Sequence, residues 1–103
     1  MLLIREVMYC KPGKVRSLVE KFTAMSKLSE RMGMGKMRVM TDFCAERYWT
    51  IVSEFEVASV AAFEKMMQGE GMDEKTGKEM ENLMKGYHDL VEYGRREIYK
   101  IEG

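Results

Sequence analysis

Apolar side chains occupy both faces of the segment Met1–Tyr9 as it would run in extended form. They are Leu2, Ile4 and Met8 on one face, and Leu3, Val7 and Tyr9 on the other. A strand that is covered on both sides loses the simple alternation of apolar and polar residues. The pattern therefore predicts that the chain opens with a strand whose two faces are both covered.

A long amphipathic helix is predicted next. Pro12-Gly13 breaks the strand, and proline is well tolerated where a helix begins because no backbone N–H is needed there. Apolar residues then recur every three or four positions, at Val15, Leu18, Val19, Phe22, Met25 and Leu28. This spacing is typical of one buried helix face. Gly33 is expected to end the helix in a left-handed conformation.

The segments Lys36–Phe43 and Tyr48–Glu56 alternate like strands and contain many β-branched and aromatic residues. A loop around Ala45–Arg47 would pair them as a hairpin. The pairs in this register are Phe43 with Trp49, Val39 with Ser53, Met37 with Phe55, Arg38 with Glu54, and Lys36 with Glu56. Opposite charges and apolar groups then face each other, which favours this register.

The two faces of this hairpin differ in character. We assign one face to the helices, and it carries Met37, Val39, Phe43, Trp49, Ile51 and Phe55. The other face is half apolar and half charged, and it carries Arg38, Met40, Tyr48, Val52 and Glu54. A mixed face of this kind suits contact with a second, symmetric copy of the sheet. We therefore predict a homodimer with Arg38, Met40, Tyr48 and Val52 at the dimer face.

Two further helices and a final strand are predicted in the second half. Ser59 is a suitable N-cap for a helix through Gln68. A third helix is predicted over Asp73–Val91, and a last strand over Arg96–Glu102. The order strand–helix–strand–strand–helix–helix–strand predicts a ferredoxin-like α+β domain over residues 1–103, with a four-stranded antiparallel sheet and its helices on one face.

Composition excludes several classes of function. Lysine plus arginine and aspartate plus glutamate number 17 each, so the formal net charge is zero and nucleic-acid binding is not expected. We found no apolar run long enough for a signal peptide or a membrane span, and we expect a cytoplasmic protein without membrane contact. Cys10 and Cys44 are isolated and expected to be reduced. The residue spacing predicts no metal site and no catalytic motif.

Three short segments and the order of the elements resemble the dimeric α/β-barrel superfamily. They are Pro12-Gly13-Lys14 before the first helix, Ser53-Glu54-Phe55-Glu56 leading into Ser59–Phe63, and the closing Arg96-Glu97-Ile98-Tyr99. Together they look like its antibiotic-biosynthesis-monooxygenase and NIPSNAP-like branch. The resemblance implies a homodimer whose two sheets pack into a barrel, and a pocket between helices and sheet in each protomer.

The same resemblance argues against haem degradation. Haem-degrading members use an asparagine on the first strand, a tryptophan on the third and a histidine shortly after it. Trp49 fits the second position, but the only asparagine is Asn82 and the only histidine, His88, lies far downstream. We therefore predict no cofactor.

Four residues are candidates for contact with an apolar ligand: Trp49, His88, Met67 and Met84. Each also has a structural interpretation. Trp49 could be a core aromatic, and His88 could complement a helix C-terminus. The methionines Met66, Met67, Met72, Met80 and Met84 could line an adaptable cavity or fill the core.

Two functional hypotheses remain open from the sequence. The first is a small-molecule-binding member of the superfamily that acts as a cofactor-independent monooxygenase on an apolar aromatic substrate. The pocket would then desolvate an electron-rich substrate that itself reacts with oxygen. The second is a non-enzymatic dimeric binding or structural module. A ligand-sized cavity that reaches Trp49 or His88 would favour the first hypothesis.

Overall fold

The structure, a computed structural model, describes residues 1–33, 35–69 and 72–103. Its strands are β1 (Leu2–Cys10), β2 (Arg38–Thr41), β3 (Thr50–Val57) and β4 (Val91–Lys100). Its helices are α1 (Val15–Arg31), α2 (Val60–Met67) and α3 (Glu74–Leu83), followed by a 3₁₀ turn at Tyr87–Asp89. The strands form one antiparallel sheet in the order β2-β3-β1-β4. This is the ferredoxin-like α+β fold that the sequence predicts.

The hairpin register is confirmed where the two strands pair. Arg38 lies opposite Glu54 and Val39 opposite Ser53, as the matching of charge and apolar character indicates. The strands are shorter than predicted, however, because the loop begins at Asp42. The Asp42 carboxylate accepts a hydrogen bond from the Thr50 backbone N–H at 2.9 Å. A short polar side chain that bonds to the backbone in this way favours a turn over a continued ladder.

The predicted pairing of Phe43 with Trp49 on the helix side of the sheet is therefore wrong. Both residues lie in the loop between β2 and β3, where Phe43 is fully exposed and Trp49 is 44% exposed. Trp49 adopts a positive φ of 63°, which is uncommon for a residue other than glycine. Tyr48, which was predicted to belong to the third strand, is also an exposed loop residue.

The second half differs from the prediction in where the last helix ends. α3 stops at Leu83 rather than Val91, and β4 begins at Val91 rather than Arg96. Gly86, with φ of 81°, turns the chain into the 3₁₀ segment. Pairing with β1 then defines the long strand, with Tyr93 opposite Tyr9 at one end and Leu2 opposite Lys100 at the other. Sheet pairing outweighs the helical spacing of the apolar residues here.

The helices cover one side of the sheet, which we call the helix face. It includes Leu2, Ile4, Glu6 and Met8 of β1 and their neighbours on the other strands. Two separate clusters of buried residues form the core on this side. One contains Cys10, Leu18, Phe22 and Ile51, and the other contains Ile4, Val57 and Phe63. The opposite side, here called the open face, carries Leu3, Arg5, Val7 and Tyr9 of β1.

Among the described residues, no helix combines the length and the apolar character needed to cross a membrane.

Candidate functional site

A cavity of about 410 Å³ lies between the helices and the helix face of the sheet. Methionine dominates its wall. Nine methionines of the described residues line it, namely Met8, Met25, Met32, Met37, Met66, Met67, Met72, Met80 and Met84. The aromatic rings of Phe22 and Phe55 complete the apolar part. A cavity of this size and composition suits a small apolar ligand, because flexible thioether side chains adapt to its shape.

The helices place these methionines by simple periodicity. Met25 of α1 and its C-cap Met32 stand seven positions apart, and Met80 of α3 and its C-cap Met84 stand four positions apart. Both spacings put the two side chains on one helix face. Met8 points to the same side from the middle of the sheet, since it shares the helix face with Ile4. The cavity is thus bounded by the three helices and the sheet.

A polar group of residues interrupts the apolar wall on the sheet side. Glu6 of β1 and Arg96 of β4 lie directly opposite each other and form an ion pair from Arg96 Nε to Glu6 Oε1. The Glu6 side chain is 16% exposed and the Arg96 side chain 42% exposed. The Arg96 guanidinium also lies over the Phe63 ring, 5.0 Å from its centre. Both residues line the cavity, so a bound ligand would meet a carboxylate and a guanidinium side by side.

Two hydroxyl groups stand near this ion pair. Ser53 lies opposite Glu6 on β3 and is only 3% exposed. Tyr87, in the 3₁₀ turn, directs its hydroxyl to the Met8 sulfur. Burial raises the pKa of the Tyr87 hydroxyl, and the negative charge of Glu6 adds to this effect. Tyr87 is therefore protonated at neutral pH and can donate a hydrogen bond inside the cavity.

The described residues contain no group of three or more histidine, cysteine, aspartate or glutamate side chains placed to hold a metal ion. Glu6 can accept a proton, while Arg96 and Tyr87 can stabilise an oxygen that becomes negative.

A second, more open depression of about 320 Å³ lies on the open face. Met40 and Val52 line it together with charged residues of three strands. Arg5 Nε donates to Glu54 Oε2 at 2.7 Å, and this hydrogen bond raises the pKa of the Arg5 guanidinium. Arg95 binds Glu97 at 2.8 Å, which lowers the pKa of the Glu97 carboxyl. The open face thus combines half-buried apolar groups with paired charges.

Arg47 attaches the β2–β3 loop to this same face. Its guanidinium stacks over the rings of Tyr9 and Tyr93, at 4.5 and 5.1 Å from their centres, and it pairs with Glu92 at 3.5 Å. The stacking helps to explain why Tyr9 is buried although it lies on the open face of the sheet.

The structure brings only some of the sequence-predicted ligand residues together. Met67 and Met84 line the cavity. Trp49 lies in the β2–β3 loop, where its carbonyl accepts a hydrogen bond from the Cys10 N–H at 2.8 Å. His88 is exposed in the 3₁₀ turn, with its ring 5.2 Å from that of Tyr87. Neither Trp49 nor His88 is among the cavity-lining residues. The contact that would have favoured the monooxygenase hypothesis is therefore not made, and support for a ligand site comes from the methionine wall and the Glu6–Arg96 pair instead.

The predicted dimer-face residues also separate into two groups. Met40 and Val52 are half-buried and line the open-face depression. Arg38 is an exposed residue of the edge strand β2, and Tyr48 is exposed in the loop.

Four polar cavity residues were not predicted from the sequence, namely Glu6, Ser53, Tyr87 and Arg96. A signal for one of them was present in the first strand. Glu6 shares its face with Leu2, Ile4 and Met8, so it places a charge in an otherwise apolar row. A carboxylate at such a position needs a partner, because an unpaired charge is costly to bury.

Comparison with known proteins places this fold among two groups of structures. No protein-family model matches the sequence, and no curated protein matches it in sequence. Among solved structures, a NIPSNAP domain protein from Burkholderia xenovorans superposes with a TM-score of 0.76 at 10% identity, covering 99% of this chain and 95% of that one. A NIPSNAP family protein from Agrobacterium tumefaciens gives 0.71 at 10% identity, with 96% and 90% covered.

The crystal structure of an antibiotic biosynthesis monooxygenase is similar to the same extent. Its TM-score is 0.72 at 11% identity, and each chain is covered to 100%. The structural neighbours are thus NIPSNAP proteins and antibiotic-biosynthesis-monooxygenase-like proteins, as the resemblance in the sequence indicates. Identities this low establish a shared fold and leave activity to be argued from the site.

Proposed function

We propose that this protein binds an apolar aromatic small molecule in the methionine cavity and oxygenates it without a cofactor. The observation that carries the proposal is the cavity itself, in which nine thioether side chains surround a space of about 410 Å³ with an ion pair in its wall. A mostly apolar cavity with a few polar groups is the usual form of a small-molecule site. The fold shared with an antibiotic biosynthesis monooxygenase supports the choice of chemistry.

The proposed reaction uses the polar groups at their observed positions. An anthrone-type substrate has an acidic ring methylene, and Glu6 would accept one of its protons. The guanidinium of Arg96 and the protonated Tyr87 hydroxyl would stabilise the resulting enolate oxygen. The enolate is electron-rich and reacts with O₂. Conversion of the methylene to a ketone supplies four electrons, which reduce O₂ to the ketone oxygen and one water, so no other reductant is required.

Oxygen uptake with a panel of quinols and anthrones tests this proposal. We expect uptake with at least one anthrone, and a loss of about 10²–10⁴-fold in rate for Glu6→Gln, which removes the proton acceptor. Glu64→Gln is the matched control, because Glu64 is an exposed residue of α2 that does not line the cavity. The apolar fluorescent probe N-phenyl-1-naphthylamine reports on the cavity separately. If the probe binds but no compound consumes oxygen, the protein is a non-enzymatic binding module. If neither occurs, the proposal is wrong.

We further propose that the protein works as a cytoplasmic homodimer whose open faces pack against each other. Half-buried Met40 and Val52 support this arrangement, because no helix of the same chain covers them within the described residues. The paired charges of Arg5 with Glu54 and Arg95 with Glu97 would let polar residues enter such an interface without unpaired charge. Both cysteines are free, which suits a reducing compartment.

A further inference from the structure

Helix α3 is the least embedded of the three helices. None of its residues is buried, whereas α1 buries Leu18, Phe22, Ser26 and Leu28, and α2 buries Phe63. Yet α3 and its C-cap supply part of the cavity wall through Met80 and Met84. Elements with little buried apolar surface open locally at a lower free energy than the core does. α3 therefore combines a position over the cavity with weak attachment to the rest of the fold.

Two polar contacts attach α3 to α1. Arg31 Nη2 donates to both carboxylate oxygens of Glu79, at 2.9 and 3.0 Å. Lys21 Nζ donates to the carbonyl of Leu83 at 3.1 Å and also to the carbonyl of Lys85. A cation in this position satisfies carbonyls that the helix end leaves free and lies at the negative end of the helix dipole. We call these two contacts the α3 latches.

The latches lie at the surface, so their contribution to stability is small. The side chains of Arg31 and Glu79 are 63% and 46% exposed, and water screens an ion pair that is this accessible. Gly77 in the middle of α3 further lowers the intrinsic preference of the segment for helix. The helix is therefore held in place by contacts that can break and re-form easily.

Glycines with positive φ lie on either side of α3. Gly69 has φ of 75° and Gly86 has φ of 81°. An added Cβ would meet no atom within 4 Å at either position, so close packing does not explain these glycines. A glycine can change its backbone angles without the steric cost that other residues incur. Movements of one element against another are commonly absorbed at a few residues of this kind near its ends.

We propose that α3 is the lid of the methionine cavity, and that a ligand enters when α3 swings away from α1 about Gly69 and Gly86. The α3 latches set how often the lid opens, so weaker latches give faster entry. This inference rests on the proposed function, since a lid has a purpose only if a ligand binds. The opening itself, however, can be measured without any ligand.

Amide hydrogen exchange of the full chain tests the opening. We expect the amides of α3 to exchange at least tenfold faster than those of α1. In the double variant Lys21→Met, Glu79→Met, which removes both latches, α3 exchange rises a further threefold to tenfold while α1 exchange is unchanged. The control is Glu20→Met, Lys27→Met, which alters two exposed charges elsewhere on α1. If α3 exchanges together with α1 in the unaltered chain, the lid does not exist.

Stopped-flow binding of N-phenyl-1-naphthylamine tests the entry route. The association rate constant should rise in the latch-free variant by about the factor seen for α3 exchange, and should stay unchanged in the control. If the probe binds the unaltered protein and the latch-free variant at the same rate, α3 is not the entrance and the inference is overturned. If the probe does not bind to the unaltered protein, the proposed function fails, while hydrogen exchange still decides whether α3 opens.

Discussion

Gly94 is expected to be intolerant of even a single added methyl group. It lies inside β4, opposite Met8 of β1, in a continuous strand rather than in a turn. A Cβ at this position would lie 2.8 Å from the Val7 carbonyl oxygen and 3.2 Å from the Met8 sulfur. The sulfur can move, but the carbonyl belongs to the central strand and can yield only if the β1–β4 ladder shifts. The glycine therefore allows two neighbouring backbones to approach closely.

The cost of Gly94→Ala follows from this geometry. Inserting a methyl group into a well-packed site typically costs about 1–3 kcal/mol, and we expect a value in that range. For a chain of this length, each 1 kcal/mol corresponds to roughly 4–8 °C in the unfolding midpoint. Gly77→Ala provides a matched control, since its Cβ would meet nothing within 4 Å on the exposed helix α3. Alanine has the higher helix propensity, so this variant should gain about 0.5–1 kcal/mol.

Urea unfolding followed by circular dichroism measures both changes. The protein concentration must be held constant, because the proposed dimer would make the apparent stability depend on concentration. The same substitution should thus change the free energy of unfolding in opposite directions at two sites. A Gly94→Ala variant as stable as the parent would show that β1 and β4 are not in close register at this point. A Gly77→Ala variant that loses stability would contradict the exposed position of α3.

Three further predictions concern the dimer and two titrating groups. Val52→Asp should convert the proposed dimer to monomer in analytical ultracentrifugation, because it buries a charge in the proposed interface. Val60→Asp, at an exposed position of α2, should leave the dimer intact. A dimeric Val52→Asp protein would show that the open face is not the interface. Hydrogen bonds from the side chain and the backbone N–H of Thr76 lower the pKa of Asp73. Stability from this cap should therefore be lost as the pH falls through that lowered pKa, and Asp73→Asn should reduce the acid loss measured by urea titration. Burial raises the pKa of Tyr87, so the contribution of its protonated hydroxyl to the stability of the fold is complete below pH 10 and is lost as the pH rises through the raised pKa. Tyr87→Phe should remove this alkaline loss of stability in thermal scans. A variant with the same pH profile as the parent would contradict the burial of Tyr87.

The parts of the fold that depend on local or repeated pattern could be predicted from the sequence. The β2–β3 register followed from matching Arg38 to Glu54 and Val39 to Ser53. A slip of one residue would move every side chain of the strand to the opposite face of the sheet, so the pattern allows only one register. The start of β4 could not be predicted in this way. Leu83, Tyr87 and Leu90 keep a helical spacing across Gly86, and only pairing with β1 distinguishes the strand that follows.

The residues of the candidate site also fall into those that local pattern could predict and those that meet only in the folded chain. Five of the nine cavity methionines were visible as a cluster in the second half of the chain, and helical spacing put Met80 and Met84 together. The other four, Met8, Met25, Met32 and Met37, join the cavity only through the fold. The ion pair was not visible, because Glu6 and Arg96 are 90 positions apart and meet only through the β1–β4 register. Trp49 was misplaced because the Asp42 side chain ends the hairpin ladder early, which alternation alone does not reveal.

The ion pair between Glu6 and Arg96 is difficult to explain by stability alone. It occupies the helix face beside Ile4 and Met8, where an apolar pair would also pack. Attraction in a half-buried pair is largely offset by the loss of hydration, and replacing such pairs with apolar residues is often neutral or stabilising. A pair at this position therefore adds little to the fold, yet it gives the methionine cavity its carboxylate and its guanidinium. A ligand that carries a polar group accounts for both residues, and it gives the charged Glu6 of an otherwise apolar strand face a role in the function that we propose.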